Sequence, residues 1–161
     1  MKIPAELKHK PVIVAEDYES IDGRLAGKSD AKGLSLGLAQ WNDRGKVDIS
    51  AKVWRYTGEK WSRQSEELPI HRVLDLCILI TRSMCYFRDA CLQNKQLFDP
   101  QNTQVGNIAL QNSAMTVSVC ADNPKVGEDI ELFMQVLRND DEMLSERFGV
   151  LANLLKELGF R

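Results

Sequence analysis

Alternation of apolar and polar positions between residues 34 and 56 predicts a β-hairpin. The apolar positions are Leu34, Leu36, Leu38, Val47, Ile49, Ala51 and Val53. Because successive side chains of a strand point to opposite faces, these residues share one sheet face, here called the leucine face. Asn42-Asp43-Arg44-Gly45 supplies the turn, since Asn, Asp and Gly tolerate turn conformations. This register places Leu38 opposite Ile49. In the same register, Leu36 lies opposite Ala51.

A second turn follows the hairpin and predicts a third strand beside it. Residues 57–60 form this turn and return the chain at Trp61. Tyr56 then lies opposite Trp61 on the face away from the leucines. By the same register, Trp54 lies opposite Arg63.

Two further segments have the composition of strands. Residues 12–14, Val-Ile-Val, predict a strand near the start of the chain, and a loop extends from there to Lys32. Residues 108–119 predict another hairpin, with its turn about Asn112-Ser113.

The apolar period changes to that of helices from Pro69 onward. It predicts a core helix of about 25 residues over 69–95, on which Ile80 faces the sheet, so that Ile80→Ala should cost about 2–5 kcal/mol. The same period returns from Glu128, and Asn139-Asp140-Asp141 divides that region into two helices. The prediction is therefore a single α+β domain spanning 1–161. In it, an antiparallel sheet of about five or six strands packs its leucine face on the long helix, with two further C-terminal helices.

Composition excludes several classes of function. With 21 basic and 23 acidic residues the net charge is −2, which disfavours general nucleic-acid binding. The longest apolar run, Leu76 to Ile80, is far shorter than the roughly 18–20 residues of a membrane span. Four cysteines and two histidines without CxxC spacing predict no metal site and no cofactor. Reduced cysteines and the lack of a signal-peptide core predict a cytoplasmic protein.

The sequence contains no nucleophile, phosphate-loop or dinucleotide motif. His71 and Asp75 lie four residues apart on the long helix and would suit an oriented general base, with Cys77 or Cys91 as a thiol. A surface helix pair is the preferred interpretation, because such pairs are common. We therefore expect no catalytic residue.

Aromatic and basic residues are concentrated on and beside the hairpin, where all three tryptophans fall. The candidate ligand-binding residues, here called the aromatic-basic set, are Trp41, Lys52, Trp54, Arg55, Tyr56, Trp61 and Arg63. Rings stack on planar groups and cations bind phosphate or carboxylate, so the set suits a small anionic, nucleotide-like ligand. Arg55 fits least well, because strict alternation points it toward the leucine face. The alternative is that this face packs inside the fold or forms a contact between subunits.

Three hypotheses for function follow. The first is a non-enzymatic binding protein for a small anionic, nucleotide-like ligand. The second is a protein-interaction or homo-oligomeric module that uses the aromatic-basic set, and the third is a small enzyme built on His71 and Asp75. Apolar residues of the C-terminal helices predict more apolar surface than one small sheet covers, so a homodimer is expected.

Four stretches of the chain, 8–14, 37–55, 58–69 and 71–76, resemble a small bacterial domain family of unknown function. The resemblance covers most of the chain and implies no activity and no catalytic residue. In its size and its aromatic-basic face the chain is also similar to the small sponge proteins by which phages sequester nucleotide immune signals. No motif of a named sponge family is matched.

Overall fold

The computed structural model describes residues 2–4, 7–43, 47–62, 66–93 and 95–160. They form two compact units, Met1–Ile78 and Leu79–Arg161. The strands are β1 (Lys10–Glu16), β2 (Ala31–Leu38), β3 (Ile49–Arg55), β4 (Glu67–Pro69), β5 (Gln104–Leu110) and β6 (Ser113–Ser118). The helices are α1 (Ile70–Leu92), α2 (Val126–Asn139) and α3 (Asp141–Glu157), and two short 3₁₀ turns, Tyr18–Ser20 and Gly23–Leu25, lie between β1 and β2. The α+β class, the long helix and the two C-terminal helices are confirmed.

The first unit contains a four-stranded antiparallel sheet in the order β1-β2-β3-β4. The predicted register between β2 and β3 is confirmed, with Leu36 opposite Ala51 and Leu38 opposite Ile49. Tyr56 also bridges to Trp61 as predicted. The strand that pairs with β3 is the short β4, which brings Glu67 opposite Lys52. The Trp54–Arg63 pairing falls partly outside the described residues.

The sheet buries the face opposite to the predicted one. Leu36, Leu38 and Ile49 are 38%, 40% and 51% exposed. The buried residues of β2 and β3 and the loop after β2 are Ala31, Gly33, Ser35, Gly37, Ala39, Ser50, Lys52 and Trp54. Small residues on this face admit other parts of the chain, since a Cβ at Gly33 would lie 2.6 Å from Ile3 Cδ1. Burial therefore follows the place where the N-terminal segment packs, which alternation along a strand does not encode.

The second unit has an apolar core of Phe87, Val126, Ile130 and Met134. Helix α1 contributes Phe87, and one apolar face of α2 contributes the other three residues. The prediction that Ile80 is a core residue is wrong, because its side chain is 48% exposed. The buried residues of α1 are Phe87 and Ala90. None of the helices in the described ranges is long and apolar enough to span a membrane.

A two-stranded sheet of β5 and β6 belongs to the second unit. Its turn lies one residue earlier than predicted, at Gln111-Asn112, where both residues have positive φ (51° and 60°). Left-handed backbone at both central positions matches the right-handed twist of a hairpin. Arg82 of α1 fixes the hairpin by donating from Nε and Nη2 to the Val105 carbonyl, at 3.1 and 2.6 Å.

Candidate functional site

The interior of the first unit is a hydrogen-bonded cluster, here called the polar network. Its members are His9, Ser35, Ser50, Lys52, Trp54 and Glu67. His9 and Ser50 are 0% exposed, and the Glu67 side chain is 1% exposed. The segment before β1, both central strands and β4 each supply members. The network therefore joins distant parts of the chain.

His9 lies at the centre of the polar network. Its Nε2 is 2.9 Å from Ser35 Oγ, and its Nδ1 is 3.1 Å from Ser50 Oγ and 3.3 Å from Glu67 Oε1. A ring that carries its proton on Nδ1 satisfies every partner, because Nδ1 then donates toward Ser50 and Glu67 while Ser35 donates to Nε2. Buried polar groups need such partners, since an unpaired one costs about 1–3 kcal/mol.

Glu67 is the buried anion of the polar network. Its Oε1 accepts from the Gln40 backbone N–H at 2.9 Å and from the Ser50 hydroxyl at 2.8 Å, and its Oε2 is 3.4 Å from Lys52 Nζ. Burial acts to raise the pKa of Glu67, but the donors from Gln40, Ser50 and His9 and the charge of Lys52 outweigh it. The pKa of Glu67 therefore lies below its ordinary value.

Aromatic rings close one side of the polar network. Trp54, 1% exposed, donates from Nε1 to Ser35 Oγ at 2.8 Å, and the Lys52 ammonium lies 4.4 Å from its ring centroid. His9 and Trp61 each approach Trp54 edge-on, with centroids 5.8 and 6.0 Å away. Tyr56 packs on Trp61 at 5.5 Å. The rings thus contact one another and the cation.

The order Ser35, His9, Glu67 has the connectivity of an acyl-transfer triad, since the histidine joins a hydroxyl to a carboxylate. A nucleophilic serine must meet a substrate carbonyl. Ser35 is only 5% exposed and its oxygen already accepts the Trp54 N–H. In this arrangement the three residues stabilise the fold.

The structure brings together only part of the aromatic-basic set. Lys52, Trp54, Tyr56 and Trp61 form one contact chain in the first unit. Trp41 lies at the turn after β2, 40% exposed, and donates to Asp48 at 3.0 Å. Arg63 lies outside the described residues.

Arg55 belongs to the opposite side of the sheet, as strict alternation indicated. It forms ion pairs with Asp30 at 3.2 Å and with Glu66 at 2.8 Å, and these carboxylates raise its pKa above the ordinary value. Both described cations of β3 in the set are therefore already paired with carboxylates.

The leucine face carries a hollow of about 510 Å³, here called the apolar hollow. Most of its lining is apolar and includes Ile13, Leu34, Leu36, Ala51, Val53 and Leu68, while Ser35, Lys52 and Glu66 are its polar lining residues. Sequence reasoning missed this feature because it assigned the leucine face to the core. His9 and Glu67 were also missed, since each lies outside the alternating strands and gives no local signal.

The residues of the enzyme hypothesis lie on α1. His71 is exposed, Asp75 and Cys77 are half-buried, and Cys91 is exposed. Across the described ranges, no three His, Cys, Asp or Glu residues are grouped as metal ligands.

Comparisons with known proteins give a family but no function. No curated protein and no solved structure matches the chain. One family model, described as a family of unknown function, matches residues 1–160, in agreement with the resemblance stated from the sequence. The chain therefore belongs to that family, DUF6530.

Proposed function

We propose that this protein is a non-enzymatic binding protein and that its binding surface is the leucine face. The observation that carries the proposal is the apolar hollow of about 510 Å³ on that face. Sites for small molecules occupy about 300–1,000 Å³ and have mostly apolar linings. The hollow meets both criteria.

Exposure of the surrounding residues supports the same surface. Ile13 is 64% exposed, Leu36 38% and Ile49 51%. Removing such surface from water is worth about 25 cal/mol per Å². A ligand with apolar surface would therefore gain affinity from covering this face.

Charge favours an uncharged occupant. Arg55, the cation of β3 on this face, is held by both Asp30 and Glu66, which leaves one excess negative charge in that group. An anion would have to displace a carboxylate to reach the guanidinium. A neutral apolar molecule needs no such displacement.

The test uses two probes of different chemistry. Nile red, a neutral apolar dye, reports binding by its fluorescence, and 1-octanol should displace it. AMP, titrated by calorimetry, represents the planar anionic class. We expect the dye and the alcohol to bind, and we expect the AMP titration to give no heat of binding. Absence of dye binding would refute the proposal.

A matched pair of variants locates the site. Leu36→Asn places a polar group in the apolar hollow and should weaken dye binding at least tenfold. Leu132→Asn makes the same substitution at an exposed leucine of α2 that does not line the hollow, and it should leave dye binding unchanged. Thermal melting of both variants verifies that they fold. Equal loss in the two variants would contradict the assignment.

The anionic, nucleotide-like ligand is retained as a second candidate. It is favoured by ring surface that stays accessible, since Trp41 is 40% exposed and Trp61 is half-buried. In that case AMP binds, the alcohol does not, and Trp61→Ala weakens AMP about tenfold or more, the loss of one stacked ring. A sponge for a nucleotide signal would release AMP unaltered.

For either ligand we propose action in the cytoplasm, where the four free cysteines stay reduced.

A further inference from the structure

A second hollow, of about 390 Å³, lies in the second unit and is here called the aromatic hollow. Its lining comes from α1, β5, β6, α2 and the segment between β6 and α2, all within Leu79–Arg161. Three lining residues, Phe87, Val126 and Ile130, also belong to the apolar core of that unit. A molecule in the hollow would therefore pack directly on this core. The volume lies within the range of about 300–1,000 Å³ that is typical of small-molecule sites.

Three aromatic rings line the aromatic hollow. Phe87 is the middle one, with the Tyr86 centroid 5.2 Å away and the Phe133 centroid 5.6 Å away. Phe133 is 48% exposed, so part of this ring surface is accessible. Aromatic rings pack favourably on further rings, and their faces attract cations. The rings therefore suit a ligand that carries an aromatic body and a positive charge.

Asp129 gives the lining of the aromatic hollow a negative charge. Its carboxylate accepts a hydrogen bond from Asn123 Nδ2 at 2.7 Å, which orients it. A carboxylate accepts about four hydrogen bonds, so it can take further donors. Among the lining residues that the structure describes, none is Lys, Arg or His. Arg82, which donates to the Val105 carbonyl, is outside the lining.

We propose that the aromatic hollow is a second ligand site and that its ligand is an organic ammonium ion with an aromatic body. The ammonium group donates to Asp129, while the aromatic body packs beside Phe87 and Phe133. An anion of the same shape would be repelled by the carboxylate. The proposal goes beyond the proposed function and shares no residue with it, because the apolar hollow is lined entirely from the first unit.

Three probes of similar shape and different charge test the ligand class. They are 2-phenylethylamine, a cation at neutral pH, 2-phenylethanol, its neutral counterpart, and phenylacetate, an anion. Each is titrated against the wild type while iodoacetamide alkylates Cys120, an exposed thiol that lines the hollow. Cys91 is also exposed but lies outside the lining, so it is the internal control. Mass spectrometry of peptides measures both rates.

The amine should protect Cys120 at a concentration at least about fivefold lower than the alcohol requires. This factor corresponds to the attraction of one exposed ion pair at low ionic strength. Phenylacetate should protect least, and no probe should protect Cys91. The wild-type comparison needs no variant, so it tests the ligand class by itself.

Matched variants locate the charge and the rings. Asp129→Asn keeps an oxygen for Asn123, and the amine should then protect no better than the alcohol. Glu128→Gln removes the other acidic charge of the first turn of α2, outside the lining, and should keep the preference for the amine. Phe133→Leu should weaken amine and alcohol together, by about two- to tenfold. Leu36→Asn, in the apolar hollow, should change nothing here.

Thermal melting verifies that each variant folds. Failure of all three probes to protect Cys120, or equal protection by the amine and the alcohol, would overturn the proposal. Equal protection of Cys91 would overturn it as well, because Cys91 does not line the aromatic hollow. A preference for the amine that survives in folded Asp129→Asn, or that disappears in Glu128→Gln, would also overturn it.

Discussion

The interior of Met1–Ile78 is held by a hydrogen-bonded polar network around His9, whereas that of Leu79–Arg161 is an apolar cluster around Phe87. A polar interior is directional, because each donor needs its own acceptor and loses free energy when that acceptor is removed. An apolar interior depends on volume and tolerates changes of shape. The two units should therefore differ in their response to substitution and to pH.

Trp54→Ala should have the largest effect. It removes a fully buried ring and the N–H that donates a hydrogen bond to Ser35 Oγ. The free energy of unfolding should therefore fall by about 3–5 kcal/mol. Trp41→Ala, at a 40% exposed position, is the matched control and should cost less than about 1 kcal/mol. Urea denaturation followed by circular dichroism measures both. Similar losses in the two variants would contradict the assignment of Trp54 to the interior.

Glu67→Gln should remove about 1.5–3 kcal/mol at neutral pH, since hydrogen bonds to a charged group are lost. The pKa of Glu67 is lowered in the folded state, so its contribution is complete above the ordinary value of 4.5 and is lost as pH falls through the folded pKa. The difference between wild type and variant should therefore shrink in acid.

The control for this pH dependence lies in the apolar core of the other unit. Ile130→Val should cost about 0.5–1.5 kcal/mol, and this cost should be the same at neutral pH as in acid below pH 4.5. Denaturant titrations at several pH values compare the two variants. A pH-independent loss for Glu67→Gln would contradict the ionised network.

Gly37→Ala should destabilise the sheet by about 1–3 kcal/mol, because a Cβ there would lie 2.1 Å from the Lys10 carbonyl oxygen. Backbone cannot move aside as a flexible side chain can. Gly149→Ala in α3, where a Cβ meets nothing within 4 Å, should instead stabilise by about 0.5–1 kcal/mol. Thermal melting should show opposite shifts. Equal shifts would mean that β1 and β2 are not this close.

Ile80→Ala should have the smallest effect, below about 0.5 kcal/mol, because the side chain is 48% exposed. This replaces the 2–5 kcal/mol expected from helical periodicity. Phe87→Ala, in the apolar core, should cost about 3–5 kcal/mol and serves as the comparison. A loss above about 2 kcal/mol for Ile80→Ala would indicate that this side chain is buried after all.

The sequence determines local structure here better than it determines burial. Alternation predicted the register of β2 and β3, since side chains repeat every two residues and the turn limits the pairing. The choice of buried face depends on His9 and Glu67, which come from outside the hairpin. Periodicity likewise predicted α1 and placed Ile80 and Phe87 on one apolar stripe, but of these two only Phe87 is buried. Contacts between distant segments decide both questions.

The candidate binding residues, too, could be predicted from the sequence only in part. Composition identified the rings and cations of β3, but Lys52 and Arg55 meet carboxylates from Asp30, Glu66 and Glu67 that lie elsewhere in the chain. A residue type suited to a ligand is equally suited to a partner within the fold. Only the tertiary structure separates the two.

The separation of His9 and Glu67 by 58 residues has a consequence for synthesis of the chain. During translation β1, β2 and β3 leave the ribosome before the carboxylate that joins His9 to Ser50 and Lys52. Long-range contacts form late because loop closure must precede them. Until Glu67 emerges, His9 has no carboxylate partner, so completion of this interior requires that β4 has been made.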